Sequence, residues 1–161
     1  MARKDLIPAD VTAVVDTREQ LPFDLAPLSV VRGSLPTGDY SVAGLEHEVA
    51  VERKSLPDLV LCVGSERERF EKEIQRLMAY PARLLIVEAT MAQLELGQWR
   101  ARITPNQVTS SLLSWSAQGL PIFTVDGHKA AGIVAAKFLF VAARRRWREL
   151  QAFHSNLKIA T

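Results

Sequence analysis

The stretch HEVAVERKSLPDL, His47 to Leu59, decides how the rest of the chain is read. Its first half alternates. Val49, Val51 and Arg53 fall on one side of an extended strand, and Glu48, Ala50, Glu52 and Lys54 on the other. Its second half changes period. Ser55 followed by Asp58 has the form of a capping box, with Asp where Glu is commoner, and Pro57 suits a first helical turn. A strand therefore ends near Lys54 and a helix begins at once. Charged side chains are rarely buried without partners. Glu52, Arg53 and Lys54 at the end of an apolar strand mark either a solvated edge or a place that holds something.

Working outward, TAVVD (Thr12 to Asp16) is β-branched and apolar, which predicts a central strand ending at Asp16. LSVVR (Leu28 to Arg32) reads as a second strand, and LPTGDY (Leu35 to Tyr40) carries turn chemistry. YSVAG leaves that turn as a strand and pairs with His47–Lys54 as a hairpin, so the first half reads as an antiparallel meander. After a short helix through Val63, a longer one over Glu66–Tyr80 puts Phe70, Ile74, Leu77 and Met78 on one face. RLLIVE (Arg83 to Glu88) and PIFTVD (Pro121 to Asp126) read as buried strands. Between them Thr104–Pro105 starts a helix that Gly119 and Pro121 stop. The last helix spans about Lys129 to Gln151. Strands alternating with helices after residue 82 predict parallel pairing there. The expected fold is α/β, one mixed central sheet with helices on both faces.

The 161 residues suffice for one domain with a real core, and a net charge of +2 says little about partners. Cys62 is the only cysteine, which excludes an intramolecular disulfide or a cysteine-based zinc site. The opening MARKDLIPADV lacks the long apolar segment of a leader. The longest apolar-rich run, Ala130 to Ala143, contains Lys137 and is shorter than the ~20 residues that span a bilayer. A cytoplasmic protein with no membrane segment is expected. That run is apolar nearly all round, so it packs in the core or presents a face to a second subunit. The basic cluster ARRRWRE (Ala143 to Glu149) reads in two ways. It tracks phosphates, with Trp147 as a stacking surface, or it is a solvated helix end whose cations suit the C-terminal dipole.

The chemistry gathers at strand ends. Asp39 follows Gly38 across the hairpin from Glu52 and Lys54, and Asp16 closes another central strand. Carboxylates converging there repel unless a cation lies between them. Mg²⁺ takes oxygen ligands and keeps several waters, so one or two carboxylates suffice. A lysine two residues from a ligand can orient a water or stabilise phosphate charge.

This Asp…Glu-x-Lys arrangement is similar to that of metal-dependent nucleases of the restriction-endonuclease-like fold. VVDTREQ, TGDY, VERKSLPDL and RERFEKEIQRL, in this order and spacing, resemble the XPF-type structure-specific endonuclease family. Its hallmark, Gly-Asp…Glu-Arg-Lys-x-x-x-Asp, is complete here as Gly38-Asp39…Glu52-Arg53-Lys54-Ser55-Leu56-Pro57-Asp58. The resemblance runs from about Val11 to Leu150 and implies a single nuclease domain over residues 1–161. It implies DNA cleavage near branches or flaps, in repair or recombination, with Mg²⁺ or Mn²⁺.

Residue by residue, the resemblance implies Asp39 and Glu52 as metal ligands, with the Arg53 backbone carbonyl as a third. Asp16 is the candidate for a second metal and Glu19 the reserve. Lys54 positions or activates the attacking water. Arg18 meets the scissile phosphate bidentately, and Arg69 matches an arginine of the family on the following helix. Arg145 and Trp147 are candidate DNA contacts. Plainer readings stand beside these. Arg18–Glu19 is also a local ion pair, Arg69 part of a solvated face, Glu88 structural rather than catalytic, and the three histidines have no assigned role. Whether Arg53 and Asp58 belong to the chemistry or brace it stays open.

The resemblance also implies a homodimer through the C-terminal helix. No helix-hairpin-helix or helicase module of the kind many members append is evident. Branch recognition then falls to the domain, its dimer, or a separate DNA-binding or helicase partner. The alternative is a non-cutting DNA-binding subunit. Such members tend to lose the acidic residues that this chain keeps.

Overall fold

A computed structural model describes residues 5–157. Met1–Lys4, part of the stretch read for a leader, and residues 158–161 of the expected domain lie outside the described residues. The strand read first is β4 (Val49–Ser55), and its alternation sorts the interior into two cores. Val49 and Val51 join one core with Val15 and Tyr40, and Ala50 joins another with Leu59, Phe70 and Trp115. β4 is central because both of its edges are paired. The strands are β1 (Thr12–Asp16), β2 (Ser29–Gly33), β3 (Tyr40–Val42), β4, β5 (Ala82–Glu88) and β6 (Ile122–Thr124), in the spatial order β2-β1-β3-β4-β5-β6. β3 pairs antiparallel with β1 and β4, whereas β4, β5 and β6 run parallel.

The first half is not a meander. β2 lies parallel to β1, with Thr12 opposite Ser29 and Asp16 opposite Gly33. The connection between them buries Phe23, Leu25 and Leu28 in the first core. That burial carries the chain back to the start of β1 before β2 begins, where a tight hairpin would have reversed it. β6 also departs from expectation. It is a short edge strand rather than a buried one, and Phe123 is 54% exposed.

The helices are α1 (Leu56–Val63), α2 (Arg67–Met78), α3 (Met91–Leu96), α4 (Pro105–Ala117) and α5 (Gly127–Asn156). α1 begins as its sequence dictates, with the Asp58 N–H donating to Ser55 Oγ at 3.3 Å. α3 was not anticipated, although Thr90 and Gln93 form a complete capping box. α1, α2, α3 and α4 cover one sheet face and α5 the other.

α5 settles against the sheet through small residues. Ala131, Ala135, Leu139 and Ala143 recur every four residues and are buried. A methyl group added at Gly132 would stand 2.9 Å from the Asp24 carbonyl, so the helix lies against that loop. Ile133 and Val141, on other sides of the helix, are about half exposed. At ~1.5 Å per residue α5 is far longer than any strand beside it. Its overhanging end carries the exposed Leu150 and Phe153. No helix among the described residues is long and apolar enough to cross a membrane.

Candidate active site

The site is set at one end of the sheet, where β4 and β5 finish and β3 starts. Gly38 makes it possible. Its φ is +79°, and a Cβ there would meet the Val51 carbonyl oxygen at 2.9 Å, so the turn admits only glycine without distortion. Asp39 is then locked at three points. Its N–H donates to the Val51 carbonyl at 2.8 Å, and its own carbonyl accepts from the Asp16 N–H at 2.9 Å. Its carboxylate Oδ2 accepts from the Arg53 backbone N–H at 2.8 Å.

Asp39 and Glu52 line an open cavity of about 280 Å³ between α2 and the Pro36–Asp39 turn. Burial pushes the Asp39 carboxyl well above its ordinary range. Burial, and then the charge of Asp39, push Glu52 up as well. Lys54 Nζ donates to Glu52 Oε1, lies 3.7 Å from Glu73 Oε2 and sits 4.9 Å from the Phe70 ring centroid. Burial alone would lower the pKa of Lys54, but the Glu52 carboxylate outweighs it and holds the pKa above its usual value. Two carboxylates and one ammonium thus share a cleft open to solvent, which Arg18, Arg69, Glu73 and Arg76 also line. The hard carboxylate oxygens of Asp39 and Glu52 suit a divalent cation of the Mg²⁺ class. Among the described residues, no group of three or more His, Cys, Asp or Glu side chains is placed to hold a metal.

Asp16 is placed differently. It is 1% exposed, and its oxygens are engaged. Oδ1 accepts from the Arg18 backbone N–H at 2.9 Å and from Arg18 Nε at 2.6 Å. Oδ2 accepts from the Leu35 N–H at 2.8 Å and from Arg18 Nη2 at 3.2 Å. The Arg18 side chain chiefly, with the Leu35 N–H, draws the Asp16 carboxyl down to about 2 against the effect of burial. Arg18 itself is 73% exposed and faces the cavity, as do Arg69 and Arg76.

Arg53 points through to the α5 face, as the strand alternation requires. There it forms a half-buried ion cluster. Nε donates to Glu88 Oε1, and Nη1 donates to Glu19 Oε1 at 3.0 Å and to the Leu21 carbonyl at 3.2 Å. Nη2 lies 3.4 Å from His128 Nδ1, and the guanidinium sits 5.3 Å from the Phe23 ring. Phe23 stacks on Tyr40 and donates its N–H to the Tyr40 hydroxyl at 3.0 Å. Glu19 and Glu88 therefore brace Arg53 from behind the site.

Asp58 is exposed and stays with its cap, accepting from Ser55 Oγ at 2.6 Å. Arg145 and Trp147 lie at the opposite end of the sheet. Arg145 pairs with Glu149 at 3.1 Å, and the half-buried Trp147 lines a hollow with Val11, Thr12 and Val42. The structure thus gathers Asp39, Glu52, Lys54, Arg18 and Arg69 at one cleft and keeps Arg145 and Trp147 away from it. Sequence reasoning missed Glu73, Arg76 and His128. For the first two the signal was present, because Arg69, Glu73 and Arg76 fall at i, i+4 and i+7 on one face of α2.

A mixed sheet with helices on both faces, and acidic and lysine side chains at the ends of its central strands, defines a restriction-endonuclease-like α/β domain. The ERCC4 domain model matches residues 15–138, and the chain belongs to that family. XPF from Aeropyrum pernix superposes with a TM-score of 0.65 at 21% identity, over 92% of this chain and 75% of that one. XPF from Aeropyrum pernix in complex with DNA superposes with a TM-score of 0.66 at 20% identity, over 84% of this chain and 66% of that one. The fold is that of the XPF nuclease domain. No curated protein sequence matches the chain.

Proposed function

We propose that the protein is a divalent-metal-dependent DNA endonuclease that cuts near branches or flaps, in DNA repair or recombination. The observation that carries this reading is the Asp39–Glu52 pair. A buried and a half-buried carboxylate, both pushed toward neutrality, open on a cleft that also holds a lysine. A fold does not keep such a pair for stability, and perturbed acids in a cleft mark a site that binds or reacts.

Asp39 and Glu52 hold Mg²⁺ or Mn²⁺, with the Arg53 carbonyl as a third donor. When bound, such an ion activates water and stabilises charge growing on the phosphate. The chain's own residues do the rest. The Arg53 N–H aims the Asp39 carboxylate. Lys54, an ammonium at neutral pH, donates toward the attacking water or a phosphate oxygen. Arg18 and Arg69 offer guanidinium donors to the phosphate from the rim. Asp16, with its oxygens engaged by Arg18 and Leu35, sets the direction of Arg18. The exposed Ile133 and Val141 of α5 support pairing of two copies through that helix.

The test is direct. Labelled flap, fork and plain duplex DNA are incubated with the protein in Mg²⁺, Mn²⁺ or EDTA. Cleavage in either metal, strongest on branched DNA and abolished by EDTA, is expected. No cutting of any substrate with either metal overturns the proposal. Binding without cutting would identify a DNA-binding subunit instead.

A further inference from the structure

The α2 wall of the cleft carries a row of charges whose partners differ. Arg69 Nε lies 2.8 Å from Glu66 Oε2. Glu73 lies 3.7 Å from Lys54 Nζ. Across the cavity Arg18 is held by both oxygens of Asp16. Arg76 lines the same cavity and is exposed. Its guanidinium makes no ion pair or hydrogen bond to any described residue. Around an acidic floor, one guanidinium is therefore left with its full set of donors open. It stands two helical turns from Arg69 on the same face, about 10 Å along the axis.

We propose that Arg76 binds a backbone phosphate of the DNA strand that enters the cleft, apart from the phosphate being cut. The inference rests on the nuclease reading above. A strand lying along α2 would meet Arg69 near one end of the cleft and Arg76 near the other, with Glu52 and Lys54 between them. Contacts of this kind fix the register of a nucleic acid without reading its sequence. Arginine suits the task because its planar fork matches phosphate oxygens bidentately. The contact is sequence-independent, so it serves duplex and branched DNA alike.

The full chain is tested by fluorescence anisotropy with labelled flap and duplex DNA, in EDTA so that nothing is cut, over a series of salt concentrations. Arg76→Ala is expected to weaken binding severalfold on both DNAs. It should also reduce the slope of log K against log salt by about 0.9, the value for one lost phosphate contact on duplex. Arg76→Lys should restore most of the slope, and Arg76→Glu should weaken binding beyond Arg76→Ala. A wild-type chain that binds DNA, with Arg76→Ala equal to it in affinity and slope, overturns this inference alone. A lower melting temperature with an unchanged slope also overturns it, because Arg76 would then serve only the negative end of α2. A wild-type chain that binds no DNA overturns this inference, and the nuclease reading falls with it only if no substrate is cut in Mg²⁺ or Mn²⁺.

Discussion

The two ends of the sheet are both rich in charge, and they handle it in opposite ways. At the cleft end Arg53 is 14% exposed and its partners Glu19 and Glu88 are each 9% exposed. Asp39 and Glu52 line one cavity there, and Lys54 donates to Glu52. At the far end Arg145 is 82% exposed and Arg148 58%, and each has a carboxylate partner, Glu149 and Asp5. Arg146 pairs with Glu48 at 2.9 Å. Exposed pairs of that sort contribute at most about 1 kcal/mol and often nothing. Buried charges each cost several kcal/mol to desolvate. The far end is what a soluble surface does with cations. The cleft end keeps charge where water cannot fully relieve it, a stability cost that points to function.

The comparison breaks most visibly at Asp39. Asp39→Asn is expected to lower cleavage by about a thousandfold or more, which is about 4 kcal/mol of lost transition-state stabilisation. The same change relieves repulsion with Glu52, so the melting temperature should hold or rise. Calorimetry on the purified variant, beside single-turnover cleavage, reads both. A stable variant that still cuts would move the metal site elsewhere. A variant that unfolds would show that Asp39 braces the sheet rather than serving the reaction.

Arg53 sharpens the contrast from the other side of β4. Arg53→Met leaves Glu19 and Glu88 buried without their cation, and it should cost about 3 kcal/mol in urea unfolding. The backbone N–H that aims Asp39 survives the change. Cleavage per folded molecule should therefore fall less than in Asp39→Asn. A loss of stability below about 1 kcal/mol would make this cluster no different from the exposed pairs at the far end.

Much of the cleft was legible because strand alternation is strict. Glu52 and Lys54 share a face, Arg53 takes the other, and Gly38 is the residue that a tight approach to Val51 demands. The family motif then pointed to Asp39 and Glu52 as the candidate carboxylates, and the structure sets both on one cavity. What stayed hidden was long-range. That β2 runs parallel to β1 depends on how Phe23, Leu25 and Leu28 bury in the connection, and a local pattern does not encode that. His128 meets Arg53 only because α5 starts beside the end of β5. The engagement of Asp16 by Leu35 joins residues nineteen apart in sequence across a loop. The cluster around Arg145 and Trp147 illustrates the converse. Its composition carries a nucleic-acid signature, but only the fold shows which end of the sheet it occupies.

Asp16 gives a pH handle on the buried end. Its carboxyl falls from the model-compound value of 3.8 to about 2 in the folded chain, chiefly through Arg18. A depressed carboxylate stabilises the fold above its unfolded pKa and loses that contribution as pH drops through the folded value. The contribution is about 2 kcal/mol at most, and less because Arg18 is 73% exposed to screening water. Urea unfolding of wild type and Asp16→Asn should differ by this amount at pH 7. The gap should narrow between about pH 4 and pH 2. A gap that persists at pH 2 would assign the stabilisation to hydrogen-bond geometry rather than to charge.

The smallest effect is expected at the far end. Arg145→Ala and Arg148→Ala should each change stability by no more than about 0.5 kcal/mol, because both partners of each pair lose little when returned to water. The pair of changes should also leave the salt slope of DNA binding where it was, in contrast to Arg76→Ala. Arg145 lies at the opposite end of the sheet from the cleft. A strand held at Asp39 and Glu52 would have to run the full length of the domain to touch it. A slope reduced by about 0.9 for each arginine removed would show that DNA makes that crossing. The division between a working end and a merely soluble one would then fail, and the cleft would be only part of a longer nucleic-acid path.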